Sequence, residues 1–131
     1  MNKIQNWADE LGMLEGMDRL EHLVDLARKP TSLPEALRTK ENLIGGCMSK
    51  IWVDVGIVED KVKVYYDSDA MITKGITHVV CDCFSDIPVA DSKQLNKASF
   101  DNLGVKELLT SQRRNGLGSL IDTIIHKVNK L

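Results

Sequence analysis

The sequence predicts an α+β domain: a small antiparallel sheet packed against helices from both ends of the chain. Three observations lead there. Ile51, Val53, Val55 and Ile57 alternate with Trp52, Asp54 and Gly56, and a second alternating run from Lys61 to Tyr66 follows a short break. Apolar residues recur at helical spacing both before and after this hairpin. The length of 131 residues suits one domain with a real core but not two, so residues 1–131 are read as a single domain.

The elements follow in order. Ile4, Trp7, Leu11 and Leu14 share one helical face, and after Gly16 so do Leu20, Leu23, Val24 and Ala27. Pro30 disfavours helical geometry in the residue before it, so the second helix ends near Arg28-Lys29. Pro30 to Asn42, with Thr31, Ser32 and Pro34 among charges, reads as a surface connection. The strands Ile51–Ile57 and Lys61–Tyr66 are joined across Val58-Glu59-Asp60. Beyond Asp67-Ser68-Asp69, the residues Ile72, Ile76, Val79, Val80 and Cys83 fall on one face of a helix, which Ser68 or Asp69 is placed to cap. The β-branched content there would suit a strand, but length and period favour the helix. Pro88 fits the first turn of a short helix. Asn96 to Gly104 show no clear period. The unbroken stripe Leu117, Leu120, Ile121, Ile124, Ile125, Val128 and Leu131 marks the final helix.

Composition narrows the function classes. With 43% hydrophobic and 27% charged residues the chain reads as a soluble globular protein. Seventeen basic against nineteen acidic residues give −2, which offers no global electrostatic support for nucleic-acid binding. The balance is uneven: residues 106–131 hold five basic and two acidic side chains, which reads as a solvated helical face. No apolar run approaches the roughly 18 residues of a membrane span, and Met1 to Glu10 lack the apolar core of a secretion signal. A cytoplasmic setting with reduced thiols is expected, and three cysteines cannot pair completely in any case.

The informative segment is Asn42 to Val53. It places Cys47 behind Gly45-Gly46 and directly before a strand. Two glycines open backbone conformations closed to other residues, so a thiol can be presented on a tight loop that rearranges. A small apolar residue at a strand entrance is the plainer alternative. Gly45-Gly46 is no phosphate loop, because it lacks the following Lys-Ser/Thr and leads into a strand.

Gly46-Cys47-x-Ser49-x-Ile51-Trp52-Val53 resembles the SufE-type sulfur acceptors of iron–sulfur cluster assembly, a family that includes CsdE-like proteins. The resemblance continues in Ser68-Asp69-Ala70-x-Ile72-x-Lys74-Gly75 and again in Leu109-Thr110, Arg113 and Gly116-Leu117. It runs in register from Leu20 to the last helix, is weakest over residues 85–107, and departs at Gly45, where a glutamine is commoner. The resemblance implies a SufE/IscU-like fold. It also implies that the chain accepts sulfane sulfur on Cys47 from the persulfide of a PLP-dependent cysteine desulfurase, of the SufS/CsdA kind. That sulfur would pass to a SufB-containing scaffold complex. Gly45, Gly46 and Ser49 would shape the acceptor loop, while Asp69 and Arg113 would face the partner. The chain would need no cofactor of its own, PLP belonging to the desulfurase, and would act as a sulfur-transfer accessory rather than a stand-alone enzyme.

The residue types agree with this chemistry. Thiol–persulfide exchange needs a nucleophilic thiolate and a reachable sulfur, with no metal and no base triad. Lys50 or Arg113 is a candidate source of positive charge for the thiolate, whereas Asp69 would oppose ionisation as a brake, or simply cap the helix. Two rivals remain. One is a zinc- or cluster-binding scaffold of the IscU/NifU kind, using Cys47 with Cys81 or Cys83. The other is an adaptor that only stimulates a desulfurase. Cys81 and Cys83 are two apart on a helix, which turns their thiols about 200° from each other and away from a shared metal. His22, His78 and His126 lack ligand spacing; His78 is expected on the face away from the sheet. Trp52 is expected to pack beneath the N-terminal helices.

Overall fold

The computed structural model describes residues 3–29, 33–44, 50–101, 103 and 111–131, with the backbone alone for 111–113. Two helices, α1 (Lys3–Gly12) and α2 (Gly16–Ala27), precede the strands β1 (Ile51–Val58) and β2 (Lys61–Ser68). Then come α3 (Met71–Phe84), the short α4 (Val89–Lys93) and α5 (Ser111–Asn129). The expected α+β class holds, and both strands run further than their alternation indicated.

The hairpin is antiparallel, with Val58 opposite Lys61, Val53 opposite Tyr66 and Trp52 opposite Asp67. Its two turn residues, Glu59 and Asp60, both take positive φ, 52° and 65°. That is the backbone twist a two-residue hairpin requires, adopted here without glycine. Alternation places Ile51, Val53, Val62, Val64 and Tyr66 on one face, where all are buried. Trp52, Asp54 and Asp67 lie on the other.

Helix α3 packs on β2, α5 packs on β1, and α2 lies against α3. Being covered by α2 as well as by the sheet, α3 buries far more than one stripe: Gly75, Thr77, Cys81 and Phe84 join Ile76, Val79, Val80 and Cys83. At Gly75 α2 comes so close that a Cβ would collide with the Leu23 backbone carbonyl. Phe84 stacks on Phe100 at 5.3 Å between ring centres, a pairing worth about 0.5–1.5 kcal/mol beyond the area it buries.

Several expectations need correction. The segment before β1 is not a plain surface connection: it forms two 3-10 turns, Glu35–Leu37 and Lys40–Asn42, and buries Leu33 and Asn42. Residues 97–100 form another such turn, closed by reciprocal bonds between Asn96 and Ser99, and they sink Phe100 into the core. His78 faces the sheet rather than away from it, with Nδ1 2.5 Å from the Tyr66 hydroxyl on β2. Burial lowers the His78 pKa, with Lys29 adding to the effect. Trp52 packs under the Arg38 guanidinium, 4.8 Å above its ring, and not under the N-terminal helices. It is Trp7 that joins α1 to α3, its indole N–H donating to Asp82 at 2.9 Å.

Candidate functional site

Gly45, Gly46, Cys47 and Ser49 lie outside the described residues, as does the side chain of Arg113. What the structure does place are the two arms that lead into and out of residues 45–49. The first arm ends at Ile44, whose N–H donates to the Ile51 carbonyl at 2.8 Å, while Leu43 bridges to Trp52. Asn42 steadies it from below. Its buried side chain donates to the Leu37 carbonyl at 2.9 Å and accepts from Lys127 of α5 at 2.8 Å.

The second arm begins at Lys50, and the residues around the end of β2 satisfy its backbone fully. The Lys50 N–H donates to Asp69 Oδ1 at 3.0 Å. Its carbonyl accepts from the Ser68 hydroxyl at 2.8 Å and from the Asp69 N–H at 3.2 Å. Polar backbone groups at the end of a strand must find such partners or stay in water. The expected helix cap is thereby overturned. Ala70 occupies the N-cap position of α3 with no side-chain bond to the helix, because Ser68 and Asp69 turn to Lys50 instead.

One residue earlier, Asp67 carries the densest charge cluster near these arms. It is 4% exposed. Arg38 pairs with its Oδ2, and Lys74 of α3 stands 3.4 Å from Oδ1. That Oδ1 has no hydrogen-bond partner among the described residues. Arg38 also meets Glu35 at 3.3 Å and lies over Trp52. Sequence reasoning missed Arg38, Asp67 and Lys74 as part of this neighbourhood. Carrying the alternation of the second strand one residue beyond Tyr66 sets Asp67 opposite Trp52.

The other two cysteines are withdrawn from chemistry. Cys81 and Cys83 are 1% and 2% exposed. Burial, with neighbouring Cys83 and Asp82, pushes the Cys81 thiol well above its ordinary range. Burial and then Asp82 push Cys83 up to about 12. Both therefore stay protonated at neutral pH, when only the thiolate is a useful nucleophile or ligand. At 1.5 Å per residue they also lie about 17–20 Å along α3 from Ala70, the residue after the Ser68 and Asp69 that hold Lys50. Among the described residues no three His, Cys, Asp or Glu side chains are grouped to hold a metal, and no helix is long and apolar enough to cross a membrane.

The chain is similar to known proteins in sequence and in fold. The model of the SufE family, described as an Fe-S metabolism associated domain, matches residues 5–128. An uncharacterized SufE-like protein of Rhizobium meliloti is 32% identical over 130 residues, covering 95% of this chain and 93% of that one. The sulfur acceptor protein CsdE of Escherichia coli is 28% identical over 110 residues, covering 82% and 75%. In fold, the solution structure of a hypothetical protein from Thermus thermophilus superposes with a TM-score of 0.82 at 17% identity, covering 98% of this chain and 94% of its own.

Proposed function

The chain belongs to the SufE family of Fe-S metabolism associated domains, and we propose that it serves there as a sulfur acceptor with Cys47 as the receiving thiol. The Cys47 thiolate attacks the terminal sulfur of a cysteine desulfurase persulfide. A new S–S bond forms on Cys47 as the donor's S–S bond breaks, and the donor cysteine leaves as a thiolate. The exchange is redox-neutral and needs no cofactor on this chain. By drawing sulfur off, the acceptor stimulates the desulfurase, and it then relays the sulfur to an iron–sulfur scaffold such as a SufB-containing complex. The setting is cytoplasmic.

One observation carries this reading. Of three cysteines, two are sealed in the core with their thiols held protonated. The third sits between two arms that the fold anchors with side-chain and backbone bonds. The same burial weighs against the scaffold alternative, which would use Cys47 with Cys81 or Cys83. The name of the Escherichia coli relative points the same way.

The test is sulfur uptake by intact mass after incubation with a cysteine desulfurase and cysteine. The wild-type chain gains one sulfur, removable by dithiothreitol. Cys47→Ser, which keeps the shape but loses the polarisable nucleophile, gains none while keeping its melting temperature. Uptake by folded Cys47→Ser would overturn the assignment, and stoichiometric zinc lost in that variant would favour the scaffold.

A further inference from the structure

A carboxylate as buried as Asp67 is costly to keep, and an apolar pair of similar volume commonly serves stability as well or better. Its position gives it another use. Leu43, Trp52 and Asp67 lie in one row across three neighbouring backbone segments. Arg38, five residues before Leu43, reaches over the Trp52 ring to Asp67 and so straps the incoming arm across β1 to β2. The next two residues of β2 and its junction, Ser68 and Asp69, hold the outgoing arm at Lys50. Three consecutive side chains therefore grip both arms, and Lys74 adds a second cation to the first of them.

We propose that Arg38 and Asp67 are positioning residues for sulfur transfer: their ion pair sets the relation between the two arms that carry residues 45–49. This rests on Cys47 being the acceptor. Neither residue touches the reacting sulfur in this scheme. They act by holding Ile44 and Lys50 in register, so that the thiol is delivered to a partner's persulfide from a fixed base. An aromatic face beside a carboxylate oxygen makes arginine the suitable cation, because its planar guanidinium can stack and pair at once.

The experiment uses Asp67→Asn and, in case that variant does not fold, Arg38→Met, which keeps the apolar stem over Trp52. Amide hydrogen exchange is read at Ile44 and Lys50. The reference is Val62, whose N–H bonds to the Ile87 carbonyl at the far end of the sheet. Exchange at the two arm amides should accelerate about 10-fold with Val62 unchanged. In the desulfurase assay kcat for this chain as acceptor should fall about 10- to 100-fold with little change in KM, as expected when a reacting group is misplaced rather than a binding surface lost. Arg38→Lys should recover part of that rate. Unaltered exchange at Ile44 and Lys50 would overturn the proposal, as would equal acceleration at Val62 or faster arm exchange with wild-type kcat. Failure of the acceptor reading shows separately, as sulfur uptake by Cys47→Ser.

Discussion

Alkylation of the folded chain at pH 8 should mark Cys47 and leave the other two cysteines untouched. A free cysteine, with its ordinary value of about 8.5, is roughly one-quarter thiolate at that pH. Cys83, pushed up to about 12 by burial and Asp82, is thiolate in roughly one molecule in ten thousand. The ratio, roughly two-thousandfold, is a lower bound, since Cys83 is 2% exposed and Cys81 1%, and each also waits for the core to open. The assay is a time course with iodoacetamide, read by intact mass and assigned by peptide mapping. A parallel sample in denaturant should label all three thiols at similar rates. In buffer, one adduct should appear quickly, map to Cys47, and abolish sulfur uptake in full. Two or three adducts arriving together, or a first adduct on Cys81 or Cys83, would refute the argument that the fold leaves a single usable nucleophile.

Four further outcomes are expected. Gly75→Ala should cost about 3 kcal/mol or prevent folding, since a Cβ meets the Leu23 carbonyl and overpacked helix crossings relax poorly; an unfolding free energy from urea denaturation within about 0.5 kcal/mol of wild type would mean that α2 and α3 separate freely. His78 is depressed below its ordinary 6.5, so the unfolded chain binds a proton there that the native chain resists. Its contribution is present above pH 6.5 and lost as the pH falls, and His78→Gln should flatten the acid limb of the melting profile. Tyr66, raised to about 12 by burial, Cys81 and Asp82, acts at the other end: its contribution disappears as the pH climbs from 10 toward 12, and Tyr66→Phe should show less alkaline loss. Finally, Asp69→Asn keeps an oxygen for the Lys50 N–H and should transfer sulfur nearly as wild type, whereas Asp69→Ala should be about 10-fold slower. The reverse order, or faster Cys47 alkylation in Asp69→Asn, would show that its charge matters more than its bond.

Much of this protein was legible in one dimension. The hairpin follows from a period of two that only a pleated strand satisfies, and α5 from a stripe with no break in it. The thiol of interest is the cysteine that glycines precede, and the matching motifs put it in its family. These features depend on neighbours along the chain, so the chain alone specifies them. Other features depend on what packs from elsewhere. Whether Cys81 and Cys83 were ligands or core turned on α3 being covered on two sides, by a helix more than forty residues away in sequence and by the sheet. Ser68 and Asp69 had the right chemistry to cap α3, but the backbone of Lys50 needed the same oxygens, and local propensity gave way to a tertiary bond. Arg38 and Asp67 are 29 residues apart, with no sequence period linking them. Only the pairing of β1 with β2 sets Asp67 opposite Trp52 and beneath Arg38, because a charge pair across a sheet depends on register, which the fold as a whole decides.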